Sequence, residues 1–238
     1  MSDEGLSLAL FLSLLEDPGL RGALGLTLET LLVAGTAFLA VAPLLAWLFA
    51  RRTGLFVRLL NFVVTLPLVF PPVALGYLLL LVLGRSGPLG AMLAEAGLPF
   101  VFSPAAVYFS AFVAGLPLVV RPIAAALEGA ALKDLEFAAS VHGARPLQVF
   151  TRVTLPLVRT HILSGLLLGL TRASGEVGIT MMLGGNLAGK TNTLSLEIFN
   201  AVSRADFDAA TALCLILSAF TLVVFALLEA LRRRTWTL

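Results

Sequence analysis

Charge is scarce in this 238-residue chain, at 13% Asp, Glu, Lys and Arg, and the side chains of thiol and metal chemistry are scarcer: one cysteine and two histidines. A lone cysteine excludes an intrachain disulfide, and these three residues show no metal-ligand spacing. Cys214 lies in an apolar run and reads as a small buried hydrophobe. A net charge of +2 without a basic-aromatic patch leaves no nucleic-acid surface. No Ser–His–Asp set and no paired carboxylates stand out, so no catalytic residues are expected and the chain does not read as an enzyme.

Apolar side chains fill the space that charge leaves. They make up 59% of the chain, and the mean hydropathy is +1.01. A soluble domain averages roughly 45–50% apolar and about 25% charged. The surplus has no place in a soluble core of this size and is expected to face lipid. The reading is an all-α polytopic membrane helix bundle. A spanning helix needs about 20 mostly apolar residues, and five segments qualify: about 24–50, 59–84, 104–127, 161–183 and 209–231. Together they predict one membrane domain over 24–234, with a loop at 128–160. The N-terminal segment 1–23 contains an apolar run, Leu6 to Leu15, too short to span. Asp3 and Glu4 stand where a signal peptide needs basic residues. The run reads as an interfacial helix or a short flap, with a sixth span as the alternative.

Basic residues orient the bundle. With the N-terminus outside, the inner segments hold Arg51, Arg52, Arg58, Arg121, Lys133, Arg145, Arg152, Arg159, Arg232, Arg233 and Arg234. The outer ones hold only Arg21, Arg85, Lys190 and Arg204, and Arg172 lies within the fourth span. The asymmetry predicts N-terminus out and C-terminus in, with loop 128–160 in the cytoplasm.

One stretch argues for a different function. GGNLAGKT matches the phosphate-binding loop G-x-x-x-x-G-K-[ST] through Gly184, Gly189, Lys190 and Thr191. Such a loop needs a strand before it, a helix after it and a carboxylate strand elsewhere to hold magnesium. Here an apolar run of helical length precedes it, and the topology puts it outside, away from cytoplasmic ATP. It reads as an external turn and a decoy motif, with no nucleotide site on this chain.

The loop between spans three and four contains EFAASVHGARPLQVFTRVTLP, Glu136 to Pro156. Ala138 and Ala139 let a short helix approach another surface closely. Gly143 permits the left-handed residue that ends it. Pro146 can open a second helix, and Pro156 would break or kink the chain again. The result is a helix–turn–helix elbow, or, on a blander reading, an amphipathic connector on the membrane surface. The spacing Ala138-Ala139, Gly143, Val153, Leu155-Pro156 resembles the E-A-A-x-x-x-G-x9-I-x-L-P loop of ABC transporter permeases, the membrane subunits of binding-protein-dependent importers. Where that family carries its Glu, this chain has Phe137, with Glu136 one residue earlier.

The resemblance extends over about residues 24–234. Arg172, Ala173, Gly175, Glu176 and Gly178, followed by Gly185, Asn186, Gly189, Thr191 and Thr193, are similar to a stretch of molybdate and tungstate permeases. Val64 to Gly90 also looks like that subfamily. The resemblance implies that Glu136, Phe137, Ala138, Ala139, Gly143, Val153, Leu155 and Pro156 form a coupling helix that docks on an ATP-hydrolysing subunit. It implies two such cytoplasmic subunits carrying ATP and magnesium, with no cofactor on this chain. It further implies a second copy of the chain, an extracytoplasmic oxyanion-binding protein, and the inner membrane of a prokaryote. The cargo would be molybdate or tungstate, with sulfate or another anion as the alternative. An ion-driven secondary transporter is a weaker reading, because internal repeats and additional spans are not visible; a non-transporting scaffold is weaker too.

Charged residues and prolines inside the membrane carry candidate roles. Arg172 and Glu176 share one helix face. Charges at membrane depth usually face a bundle interior or a water path, so the two form either a structural ion pair or part of the anion route. Pro71 and Pro72, with Pro67, kink the second span beside a pore or merely for packing. Glu29 is expected at the outer interface or against another span, and Arg121 is expected to snorkel toward phosphates or the loop. Cys214 aside, the remaining expectation concerns small residues of the fourth span, Gly165, Gly169 and Gly178 among them, which favour close helix approach near a subunit interface.

Overall fold

The computed structural model describes residues 16–234, and every element within them is helical. The first helix, α1 (Pro18–Arg51), opens where the Asp17 carboxylate accepts a 3.0 Å bond from Gly19 N–H and Pro18 occupies the first turn. It therefore begins six residues before the expected span, inside the segment read as interfacial. The run Leu6 to Leu15 lies outside the described residues.

Three helices form the centre. α1 buries Leu31, Ala34, Phe38, Ala42 and Ala46, spaced three, four, four and four apart, so one stripe faces inward. The stripe packs on α5 (Pro104–Glu128) and α8 (Leu155–Ser174), which contribute Val119, Val120, Ile123, Leu166 and Leu170 to the same core. Phe38 stacks on Phe112 with ring centroids 5.7 Å apart. Backbone meets backbone between α5 and α8. A Cβ on Gly115 would lie 2.6 Å from the carbonyl oxygen of Gly169, and one on Gly165 would lie 2.9 Å from that of Val119. The small residues of the fourth span are thus used for packing inside the subunit, where lipid offers no hydrophobic drive and close van der Waals contact must hold helices together.

The second span is not one helix. α2 (Leu55–Val69) and α3 (Pro72–Leu83) are separated at Phe70 and Pro71, both extended, and Pro72 starts the new helix. Pro71 and Pro72 cannot donate backbone bonds to the preceding turn, so the ladder stops rather than bends. α3 leads through a 51° bend into α4 (Pro88–Glu95). The fourth span is also divided. α8 ends at Ser174, and a separate helix, α9 (Gly178–Gly184), completes the run expected through 183. Among the described residues, four helical stretches are each long and apolar enough to cross a membrane, and a fifth is reached if the bent α3–α4 pair counts as one.

α6 (Ala130–Val141) and the short α7 (Pro146–Val149) form an elbow at one end of the bundle. α10 (Leu194–Ser203) lies at the opposite end against α1 and the last helix, α11 (Phe207–Arg234). Leu20, Leu194, Ala201, Ala210 and Leu213 make a small core there. α11 presents Leu222, Val223, Phe225 and Leu227 outward. Cys214 is exposed on this helix rather than buried, because α11 covers the bundle with one face only.

Candidate functional site

The elbow follows from its own sequence. α6 ends in a left-handed residue, Gly143, at φ 83°. Ala144 N–H bonds the Ala139 carbonyl at 3.0 Å and Gly143 N–H bonds that of Ser140 at 3.0 Å, the paired bonds of a Schellman ending. Pro146 opens α7, and the Gln148 side chain accepts from Arg145 N–H at 2.9 Å. The chain then makes one wide π turn, Phe150–Thr154, with Leu155 N–H bonded to the Phe150 carbonyl. That extra width accommodates Pro156, which has no N–H to give, so the helix passes into α8 without the break expected at Pro156.

Glu136 holds this arrangement together. One carboxylate oxygen pairs with Arg51 Nη2 at 2.5 Å and the other accepts from the Thr154 hydroxyl at 2.6 Å. The last turn of α1, the middle of α6 and the π turn therefore meet on one side chain. Glu136 is spent inside the chain, whereas its neighbour Phe137, about 100° further round the helix, is 72% exposed. Leu135, Val141 and Leu147 are exposed with it. Ala138 is exposed and Ala139 half-buried, while Val153 packs on the central core and Leu155 and Pro156 stay at the surface. An exposed apolar cluster on a rigid elbow suits a partner surface.

Near the opposite end, Arg172 Nη1 lies 2.6 Å from Glu176 Oε2. Glu176 is 3% exposed, and its other oxygen accepts from Ile179 N–H at 2.7 Å. The carboxylate thus joins the last turn of α8 to the first turn of α9 across the break. Pro72 lies beside this break: a Cβ on Gly178 would be 2.7 Å from the Pro72 Cβ. A Cβ on Gly76 would be 2.9 Å from Ile179 Cα, so α3 and α9 are packed backbone to backbone. The structure brings Pro71–Pro72 and Arg172–Glu176 to one place, and the two helix breaks stand side by side.

Sequence reasoning missed the polar layer around Glu176. Thr27, Thr30, Ser174, Thr180, Thr193 and Ser195 are buried about a cavity of about 10 Å³, the size for roughly one water. The Thr27 hydroxyl accepts from Leu194 N–H at 2.9 Å, and the Ser195 hydroxyl donates to the Ser174 carbonyl at 2.8 Å. A signal was present: Thr27 and Thr30 share the inward stripe of Ala23, Ala34 and Phe38, where a hydroxyl needs a partner. Glu29 accepts from the Tyr108 hydroxyl at 2.8 Å, and Arg121 donates to Thr65 of α2 at 2.7 Å rather than reaching the elbow.

The GGNLAGKT loop is preceded by a helix, α9, which Gly184 ends. Leu187 N–H bonds the Thr191 hydroxyl at 2.9 Å, and Lys190 and Thr191 N–H both bond the Leu187 carbonyl. The fully buried Thr191 donates to the Gly184 carbonyl at 2.7 Å. Gly189 takes a left-handed φ of 70°, and Lys190 is exposed. These loop N–H groups are used internally rather than converging on a ligand.

Comparison with known proteins agrees with this geometry. Residues 22–237 match the binding-protein-dependent transport system inner membrane component family. A molybdenum transport system permease protein, ModB, of Haemophilus influenzae is 39% identical over 214 residues, 89% of this chain and 93% of that protein. A sulfate transport system permease protein, CysW, of Synechocystis is 30% identical over 225 residues, 94% of this chain and 81% of that protein. Among solved structures, a bacterial alginate ABC transporter in complex with an alginate-bound periplasmic protein superposes with a TM-score of 0.73. That match is at 23% identity and covers 96% of this chain and 83% of that chain, which bears on the fold.

Proposed function

The chain belongs to the family of binding-protein-dependent transport system inner membrane components, and we propose that it is the permease of an ATP-driven importer of molybdate or tungstate. It is a multi-pass inner-membrane transport component. The observation that carries the proposal is the elbow: a helix–turn–helix, tied by Glu136 to α1 and to the π turn that leads into α8, offering Phe137 and Leu147 outward. Two cytoplasmic ATPase subunits dock there and hold ATP and magnesium. Their closure moves the elbow, and the elbow moves the bundle. A second copy of this chain completes the path, since one five-span bundle encloses too little to seal it. The surplus of Arg and Lys at the elbow end supports a cytoplasmic elbow, with the N-terminus outside and the C-terminus inside.

The identity to the molybdenum permease favours a molybdate-sized tetrahedral anion. The identity to the sulfate permease keeps sulfate as the second reading. The anion arrives from an extracytoplasmic binding protein. Arg172, held by Glu176 beside the two helix breaks, supplies the positive charge near the route.

The test is uptake by proteoliposomes holding this chain, its cognate ATPase and the binding protein. ATP-dependent molybdate or tungstate accumulation that excess sulfate does not suppress is expected. Uptake without ATP, or no copurifying ATPase, defeats the proposal, and preferential sulfate uptake selects the second reading.

A further inference from the structure

A groove of about 590 Å³ runs between the end of α1 and the elbow, lined by Trp47, Arg51, Arg52, Lys133, Phe137 and Phe150 among others. Its charges are unbalanced. Arg51, Arg52 and Lys133 face a single carboxylate, Glu136, which Arg51 and Thr154 already occupy. The side chains of Arg52 and Lys133 are exposed and have no hydrogen-bond or ion-pair partner among the described residues. Trp47 is half-exposed one turn before Arg51 on the same helix face. An amphipathic ring at that height marks where hydrocarbon gives way to headgroups. The groove thus sets an aromatic ring of the kind that favours membrane interfaces beside two free cationic side chains.

We propose that this groove binds the headgroup of one anionic phospholipid from the elbow-side leaflet. The phosphate lies between Arg52 and Lys133, and the acyl chains run up along Trp47. Basic recesses of this kind between helices suit anionic lipid headgroups, whose attraction rises with each nearby Lys or Arg. The bound lipid sits against the Arg51–Glu136 tie, so it fastens the elbow to the bilayer surface. The cytoplasmic assignment of the leaflet rests on the proposed orientation, but binding itself does not depend on ATPase docking.

Native mass spectrometry of the full-length permease, extracted from membranes containing phosphatidylglycerol and phosphatidylcholine, tests the proposal. Retention of phosphatidylglycerol over phosphatidylcholine is expected, at one per chain. The double variant Arg52→Ala/Lys133→Ala should weaken it roughly thirtyfold, two surface cations' worth. Arg52→Lys/Lys133→Arg should retain it, and Arg58→Ala, a basic residue outside the groove, should leave it unchanged. Equal loss in the Arg58→Ala chain, or unchanged retention in the double alanine variant, would overturn the proposal. Displacement of the lipid by millimolar inorganic phosphate would also overturn it, assigning the cations to a free anion. A permease that retains the lipid but captures no ATPase would refute the transport reading and leave this one standing.

Discussion

Glu136 and Thr154, eighteen residues apart, are joined by a 2.6 Å hydrogen bond that closes the elbow onto the root of α8. The same carboxylate reaches Arg51, so three separate segments share one acceptor. Glu136→Ala leaves the buried Thr154 hydroxyl and the half-buried Arg51 without their partner, at a cost of about 2 kcal/mol. Glu136→Gln keeps an acceptor for Thr154 and loses only the ion pair, at about half that cost. Thermal unfolding should rank them wild type, Gln, Ala. ATP-driven uptake per ATP hydrolysed should fall in the same order, and equal coupling in all three would remove Glu136 from force transmission.

Gly143 stands in the left-handed region with open space around it. Gly143→Ala meets no neighbour, so its penalty is purely conformational, about 1 kcal/mol. Gly143→Asn, which tolerates that region better, should recover part of it. Copurification of ATPase at graded temperatures checks the pair. Loss of ATPase with Ala but not Asn is expected.

Gly76 and Gly178 hold α3 against α9. Gly178→Ala puts a methyl against Pro72 and the Val73 amide, which are backbone-fixed and cannot yield. Overpacking there should cost about 1–3 kcal/mol. If the two helices move as one gate, Gly178→Ala should impair uptake while ATPase still copurifies. Simultaneous loss of both would mean general misfolding.

The Arg172–Glu176 pair allows a test of structure against route. Glu176 also accepts from Ile179 N–H, so a charge swap through Glu176→Arg would remove an acceptor as well as reverse a charge. The cleaner comparison is Arg172→Gln against Glu176→Gln. Glu176→Gln keeps an acceptor for Ile179 N–H and loses the ion pair, so it should destabilise by about 1–2 kcal/mol, less than a fully buried pair because Arg172 remains partly exposed. Arg172→Gln leaves the buried Glu176 carboxylate without its cation and should destabilise as well. The route is therefore read from oxyanion uptake per folded, ATPase-bound transporter, which should fall several-fold in Arg172→Gln and not in Glu176→Gln. Unaltered uptake would make the pair purely structural.

Lys190 is exposed on a loop whose amides are already used. Fluorescent ATP analogues should show no saturable binding to the isolated chain, and Lys190→Ala should change nothing. Saturable binding lost in Lys190→Ala would reverse this.

Apolar run length was enough to place α1, α5 and α11, because those helices are uninterrupted. It failed where backbone chemistry cuts a run without lowering its hydropathy. Pro71–Pro72 and the Gly175–Glu176–Val177 segment each divide a stretch that counts as one span by composition. The elbow was legible at Gly143 and Pro146, which act through local backbone geometry, whereas the break expected at Pro156 is absorbed by the π turn before it. The role of Glu136 was not, because its two partners come from elements 85 and 18 residues away. The hydroxyl layer escaped for a similar reason. Thr27 and Ser195 gain meaning only when α1, α8 and α10 converge.

The wide turn at Phe150–Thr154 leaves no joint between the elbow and α8. From Pro146 to Ser174 the chain is one continuous rod of 29 residues, about 44 Å long. A tilt imposed at its foot would carry along the rod to Gly175, where the helix ends. The lever arm ends beside the proline break, so a small tilt at the base would become displacement where the two breaks meet.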